Sequence, residues 1–471
     1  MLMGISFQAK PTKEQKKTLS QWMGCSRFVW NAKCDEDKYL SAFARKYMSV
    51  GTYAPFDSKY AQYKDKELSP WLSNCPSPIL RNSASNWKFT YVDFLKGLCG
   101  KPKRKKKSSG GSIHLTRELF RFDRLENGCF RLFVGAKKNN IGFLSVKFHT
   151  KKFSTPASIY IKKNNGNYSV SFCYDDSTHD EALLDNKEHL TVLQSRSQEY
   201  LFDHTIGVDR GVSRPVQCGE KVYDFTEEQK RSKSKKTKYI LKYQRRLAKQ
   251  KKGSGRREKT KSKIAKSHKK IANIRKDFCH KTSHAMVSDP KVKVLVFEDL
   301  KTKNMTKKPK AKPNENGGWD RNNASAKAGL NKSILDKGWY QLEGFTKYKA
   351  KRAGKAFFKI PAQYTSQECA DCSHIHPSNR KSQELFQCKH CGHTDNADRN
   401  AAEVIKKRAI KLILNSGTEL SKRGVLLDIG RGAPVRREKR NATHAKASKR
   451  QKRTEKSFDL VREAPPSLGV G

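Results

Sequence analysis

Acidic residues are scarce in this sequence. Against 100 lysines and arginines it sets 45 aspartates and glutamates, a formal net charge of +55. Solubility needs far less, so the chain is expected to meet a polyanion. Nucleic acid is the default partner, because neutralising phosphates releases their counterions. Long apolar runs are lacking as well, and the mean hydropathy is −0.85, which leaves no membrane-spanning helix to expect. The opening MLMGISFQAK has no apolar centre of the kind a signal peptide carries, and an intracellular, nucleoid-type location is the expectation. In that setting the 12 cysteines should be reduced thiols. Cys25, Cys34, Cys75, Cys99, Cys129, Cys173, Cys218 and Cys279 are scattered singly and read as packing residues. A length of 471 residues suggests roughly three domains.

Composition shifts mark the parts. Residues 4–8, GISFQ, read as a short first strand. From Pro11 to about Tyr47, Leu19, Met23 and Trp30, with Trp22 and Val29, recur at helical spacings, and Arg27 to Asn31 supplies an apolar face for packing. A second helix is expected over Pro78 to Leu98, with Ser77 placed to cap it and Pro78 in its first turn. Lys101 to Gly111, KPKRKKKSSGG, reads as a charged, flexible connector that meets phosphates. Short β-like runs follow at Phe130–Val134, Phe143–Phe148, Ala157–Ile161 and Tyr168–Cys173. The last two flank Asn165-Gly166, a hairpin signal, and the group suggests a small barrel.

At 205–209, TIGVD, a β-branched strand runs into Asp209. A basic helical hairpin is expected next: Ile240, Tyr243 and Leu247 form one apolar stripe, and Ile264, Ile271, Ile274 and Phe278 another, interrupted by GSG at 253–255. Arg245, Arg246, Arg256 and Arg257 cluster near the turn and are candidates for contact with nucleic-acid backbone, as are Lys103 and Arg104 in the connector. Residues 292–300, VKVLVFEDL, read as a strand buried on both faces that delivers Glu298 at its end. Strands that end in Asp209 and Glu298, taken with Asp398, fit phosphodiester hydrolysis by divalent metal. Hard Mg²⁺ prefers oxygen ligands, and two ions about 3.5–4 Å apart must be bridged and flanked by carboxylates.

Cys369 and Cys372 are two residues apart, as are Cys388 and Cys391, with fifteen residues between the pairs. That spacing suits a zinc ribbon better than an iron–sulfur cluster, and four thiolates would close one structural Zn²⁺ site with no open position for catalysis. His374, His376, His390 and His393 are taken as flanking residues.

In this order, GVDRG (207–211), FEDL (297–300), TSQECADC (365–372), CKHCG (388–392) and DNADRNAA (395–402), with PTKEQ…RFVWN near the start, closely resemble the transposon-encoded TnpB family, over residues 1 to about 414. These are RNA-guided DNA nucleases related to the compact type V CRISPR effectors. The resemblance implies an α+β multidomain protein. Its RNase H-like (RuvC) α/β nuclease core would carry an inserted zinc ribbon, beside a small wedge-like β-barrel and a helical recognition lobe. It implies Asp209, Glu298 and Asp398 as catalytic ligands of two Mg²⁺, with Asp398 preferred to Asp395 because Arg-Asn-Ala-Ala follows it. Where the family commonly has a hydrophobic residue after the first Asp, this chain has Arg210, whose side chain is expected to point off the metal face.

The expected organisation places the barrel at 1–12 and 112–195, the helical lobe at 13–111 and the nuclease core at 196–363, with the basic hairpin at 228–284. The ribbon follows at 364–392, the third core motif at 393–414 and a basic tail at 415–471, too polar and too charged to pack without RNA. The implied function is an RNA-guided DNA endonuclease of a prokaryotic cytoplasm, associated with the nucleoid. It would take its guide RNA from the transposon end and cut double-stranded target DNA beside a short adjacent motif. Two other readings remain open: a strand-transfer transposase with the same core, and a non-enzymatic zinc-ribbon DNA-binding regulator. Oligomeric state is left open.

Overall fold

The computed structural model describes residues 2–49, 56–107, 110–126, 130–149, 153–175, 183–315 and 317–428. Cys129 and residues 429–471 of the expected basic tail lie outside these; the first part of that tail is corrected, because Thr418–Leu420 and Leu426–Asp428 pair as antiparallel strands and Leu426 is buried in the core. The chain divides into two compact units, Met1–Leu183 with Thr226–Ile274, and Leu184–Phe225 with Arg275–Gly471. No helix among the described residues is long and apolar enough to cross a membrane.

In the first unit a long helix, Lys13–Tyr47, starts from a capping box of Thr12 and Gln15 and buries Leu19, Trp22, Met23, Val29 and Trp30, the stripe read from the sequence. Strands Gly111–Thr116, Ser158–Asn164, Asn167–Asp175, Leu2–Ala9 and Val146–Lys147 form one sheet in that order. Asn165 (φ 49°) and Gly166 (φ 78°) make the tight hairpin turn their sequence predicts. A second sheet holds Phe120–Arg124, Phe130–Gly135 and Asn140–Leu144. Both sheets and the long helix share one apolar cluster, but among the described residues their ladders do not join, so the expected barrel is an arrangement of two sheets. The strands at 111–116 and 120–124 go beyond the sequence reading. Charged residues occupy alternate positions of the second and hide its apolar face.

Two local expectations are corrected. The second helix spans Ser77–Leu95 with Pro76 at the N-cap; Ser77 is already helical, and its hydroxyl accepts a hydrogen bond from Lys64 at 3.2 Å. The segment 101–105 is a strap laid along the long helix. Trp30 donates to the Lys103 carbonyl (3.0 Å), Asn31 exchanges two hydrogen bonds with the Lys105 backbone (3.1 and 2.8 Å), and Lys101 pairs with Asp37 (2.8 Å). Its charge predicts flexibility only if the backbone has no partners, and here it has several.

The basic hairpin consists of Glu227–Ala248 and Gly255–Ser288. Ile240, Ile274 and Phe278 are buried, whereas Tyr243, Leu247, Ile264 and Ile271 are half-buried. Of the singly placed cysteines, Cys25, Cys75, Cys218 and Cys279 are buried as expected, but Cys99 and Cys173 are exposed.

The second unit is built on a sheet ordered Lys221–Tyr223, Val216–Cys218, Thr205–Asp209, Val294–Glu298, Ala356–Ile360. Its first three strands pair antiparallel and its last three parallel. The strand at 294–298 is buried at every position, as is that at 356–360, which accounts for their nearly unbroken apolar runs. Helix Ala397–Leu414 packs Ile405, Ala409, Ile410 and Ile413 against Val294, Val296, Phe358 and Ile360. Gly207 permits a close approach of that helix to the sheet: a Cβ there would lie 2.1 Å from the Ala402 carbonyl oxygen and 2.7 Å from the Lys406 nitrogen.

A carboxylate cluster and a four-cysteine cluster

The parallel register pairs Phe297 with Val208, so the next residues, Glu298 and Asp209, end neighbouring strands side by side. Asp398 reaches them from the first turn of helix Ala397–Leu414, whose N-cap Asn396 accepts from the backbone nitrogens of Asp398 (3.1 Å) and Arg399 (3.3 Å). The close helix–strand approach at Gly207 sets how near that turn comes. Glu298 and Asp398 are buried and Asp209 half-buried. Burial, then the charges of Glu298 and Asp398, push the Asp209 carboxyl up to about 7, and burial raises Glu298 against the opposing pull of Thr365 and Arg210. Mutual repulsion of this kind is relieved by a cation, and an all-oxygen donor set suits a hard divalent ion. The site fits the magnesium implied by the sequence on those grounds. The three carboxylates do not come within 4.8 Å of one another as a set, a spread that a single small ion would not bridge unaided.

Neighbours engage two of these carboxylates directly. The Thr365 hydroxyl donates to Glu298 Oε1, and Arg380 donates to Asp398 Oδ1 at 3.0 Å. Thr365 opens the TSQECADC motif, but no sequence signal marks Arg380, which lies in a loop. Asp395 is held by Arg399 (Nε, 2.6 Å) and is not part of the group. Arg210 is buried, and its guanidinium bonds Glu343 and the backbone carbonyl of Glu298, not a carboxylate of the group.

The four cysteines meet. Among the described residues they form the one group of three or more candidate metal ligands with all donor atoms within 4.8 Å. Sγ of Cys369 lies 3.7 Å from that of Cys391, and Sγ of Cys372 lies 3.5 Å from that of Cys388. Tetrahedral zinc with Zn–S near 2.3 Å requires about 3.8 Å between sulfurs, so the cluster fits zinc. Burial works against a Cys388 thiolate, yet backbone N–H groups of Cys391 and His390 and the adjacent thiols bring it down to about 6; burial pushes Cys369 up to about 12. His374 lies in ring contact with His376 and His390 at 6.2 and 5.3 Å, outside the ligand group. Helix Ala397–Leu414 fastens the cluster. Buried Asn400 accepts from the Ala370 nitrogen (2.9 Å) and donates to the Glu368 carbonyl (2.8 Å), Lys407 donates to the Ala370 carbonyl (2.6 Å), and Arg408 pairs with Glu368. The opening of one helix thus carries Asp398 while its length holds the cysteine module.

The basic candidates lie in the other unit. Lys103 and Arg104 are exposed on the strap, with Arg104 paired to Asp35. Arg245, Arg246 and Arg256 are exposed. Arg257 is not free for phosphate: half-buried, it donates to the carbonyls of Leu247 and Gln250 (2.8 Å to the latter) and closes the end of the first hairpin helix.

Known proteins resemble this chain in part. Residues 191–308 match the OrfB_IS605 family, described as "Probable transposase"; residues 1–33 match its helix-turn-helix domain, and residues 339–405 match the "Cas12f1-like, TNB domain". InsQ of Escherichia coli (strain K12), which carries the provisional name RNA-guided DNA endonuclease, is 27% identical over 409 residues, covering 86% of this chain and 91% of that protein. The CRISPR-associated endodeoxyribonuclease Cas12f1 of Sulfoacidibacillus thermotolerans is 46% identical over 67 residues, 14% of this chain and 16% of that protein. The cryo-EM structure of the Cas12f1-sgRNA-target DNA complex matches with a TM-score of 0.52 at 13% identity, covering 84% of this chain and 83% of that one, which shows a shared fold. Together these matches support a likeness to TnpB-type proteins related to Cas12f.

Proposed function

We propose that the protein is an RNA-guided DNA endonuclease that hydrolyses phosphodiester bonds at Asp209, Glu298 and Asp398. The observation that carries this reading is the convergence of these carboxylates, from two parallel strand ends and one helix start, at one edge of a mixed five-stranded sheet. Two magnesium ions, when bound, would supply an activated water and stabilise the leaving oxygen. The three carboxylates would hold them, Thr365 would fix the orientation of Glu298, and Arg380 would set that of Asp398. The cysteine module would hold one structural zinc beside the same helix. A net charge of +55 supports guide RNA and target DNA as partners, with base pairing selecting the target and a short adjacent motif admitting it.

The test is Asp209→Ala in the full chain with its guide RNA. Cleavage of both strands should be lost while guide-dependent target binding stays, since removing a carboxylate lowers local negative charge and gives polyanion binding no reason to fall. Full cleavage by this variant removes Asp209 from the site. The family description as a transposase favours a second reading, strand transfer without a guide. Sequence-specific cleavage that survives RNase treatment would select that reading.

A further inference from the structure

Behind the carboxylates lies a set of charges, Arg210 and Lys359 buried and Glu343 and Asp299 half-buried, that the proposed chemistry does not use. The Arg210 side chain is 0% exposed, although a buried guanidinium is costly unless it is paired and hydrogen-bonded. It donates to Glu343 Oε2 at 3.0 Å and to the backbone carbonyl of Glu298, and it lies 5.2 Å from the centre of the Phe297 ring. The other Glu343 oxygen pairs with Lys359 at 3.2 Å, and Lys359 also pairs with Asp299 at 3.0 Å.

These partners have a topological meaning. Arg210 follows Asp209 at the end of the first parallel strand, Asp299 follows Glu298 at the end of the second, and Lys359 belongs to the third. One carboxylate, on helix Trp339–Arg352, therefore ties together the ends of all three. Two cations balance two anions, so the group carries no net charge to attract a ligand. A buried ion pair is seldom worth more to stability than apolar groups of the same volume, which leaves stability a poor reason for this one. Its hydrogen bond to the Glu298 carbonyl, and its place one residue beyond Asp209, point to control of the strand ends.

We propose that Glu343 is a positioning residue: acting through Arg210, it fixes the spacing and orientation of Asp209 and Glu298 for a divalent cation. Glu343 touches neither substrate nor metal. The inference rests on the reading that these carboxylates hold the cation. Groups that orient metal ligands from behind typically change metal affinity by about 10–100-fold when removed.

The experiment uses the full chain with its guide RNA, and compares Glu343→Gln with the double variant Arg210→Met/Glu343→Leu, which replaces the pair by apolar side chains and leaves Lys359 with Asp299. Mn²⁺ binding is measured by electron paramagnetic resonance, with Asp209→Asn defining the background from other sites. Melting temperature and the Mg²⁺ concentration for half-maximal cleavage are measured alongside. The double variant should melt close to the wild type, bind Mn²⁺ about 10–100-fold more weakly, and recover part of its cleavage at raised Mg²⁺. Unchanged Mn²⁺ affinity in either folded variant overturns the proposal. A double variant that cannot fold assigns the pair to stability and overturns it equally. If the wild type cuts no guided target yet the variants lose Mn²⁺ affinity, the positioning role stands and the endonuclease reading falls. If the wild type cuts and the variants keep their affinity, the endonuclease reading stands and the positioning role falls.

Discussion

Replacing Gly207 with alanine is expected to cripple the candidate site without touching any of its charged groups. The added Cβ would sit 2.1 Å from the Ala402 carbonyl oxygen, 2.7 Å from the Lys406 nitrogen and 3.1 Å from Ile405 Cβ. Real Cβ atoms essentially never approach others closer than 3.0 Å, so helix Ala397–Leu414 and strand Thr205–Asp209 must part by at least 3.0 − 2.1 = 0.9 Å. The nearest atoms are helix backbone, which cannot rotate aside as a side chain would. Overpacking of a well-filled interior costs about 1–3 kcal/mol. The larger effect is geometric. Asp398 opens that helix and Asp209 ends that strand, and a misplacement near 1 Å can cost about 100-fold in rate. Gly329→Ala is the control, since nothing lies within 4 Å of a Cβ there and it lies inside helix Ala324–Lys337, where alanine is favoured by about 0.5–1 kcal/mol. Circular dichroism melting gives the stability of each variant, and guide-dependent cleavage well below the transition gives the rate. A Gly207→Ala protein that melts and cuts as the wild type does would refute the reasoning, because the helix would then have room that its packing denies.

Cys388→Ser should lose the metal of the cysteine cluster and loosen the module, since structural zinc contributes folding energy directly; elemental analysis should give about one zinc per wild-type chain, and a metal-free protein of full activity would contradict it. Asn400→Ala should lower the melting temperature, at about 1–3 kcal/mol for each buried partner left unsatisfied, because it strips the Ala370 nitrogen and the Glu368 carbonyl of their bonds; an unchanged melt would show that water replaces them. Arg257→Ala and Arg256→Ala should separate by assay. The first, which removes two hydrogen bonds to carbonyls, should show faster local hydrogen exchange at the hairpin turn. The second should weaken RNA binding and reduce its salt dependence, by about one unit of log–log slope for each phosphate no longer neutralised. The same response from both would mean that Arg257 is not structural.

The sequence by itself determined whatever is encoded over short spans. Each Cys-x-x-Cys pair is legible because its spacing is local and four thiolates in that pattern suit one metal; the fold then brings the two pairs together, with sulfurs of different pairs 3.5 and 3.7 Å apart. The buried strands at 205–209 and 294–298 are legible because a strand covered on both faces must be largely apolar. The Asn165-Gly166 hairpin is legible because its turn demands positive φ at both central residues. Charge misleads where it stands in for structure. The strap at 101–105 reads as a free connector, and Arg257 as a phosphate ligand, but backbone carbonyls and side chains far away in sequence or across a turn claim them. Tertiary structure alone decided that Arg380 bonds Asp398, that Gly207 is the point where helix meets strand, and that Glu343 links three strand ends through Arg210 and Lys359. The first joins residues 18 positions apart, and Arg210 lies 133 positions from Glu343. No local propensity records such a pairing, because its energy exists only when the folded backbone brings the partners together and removes water from between them.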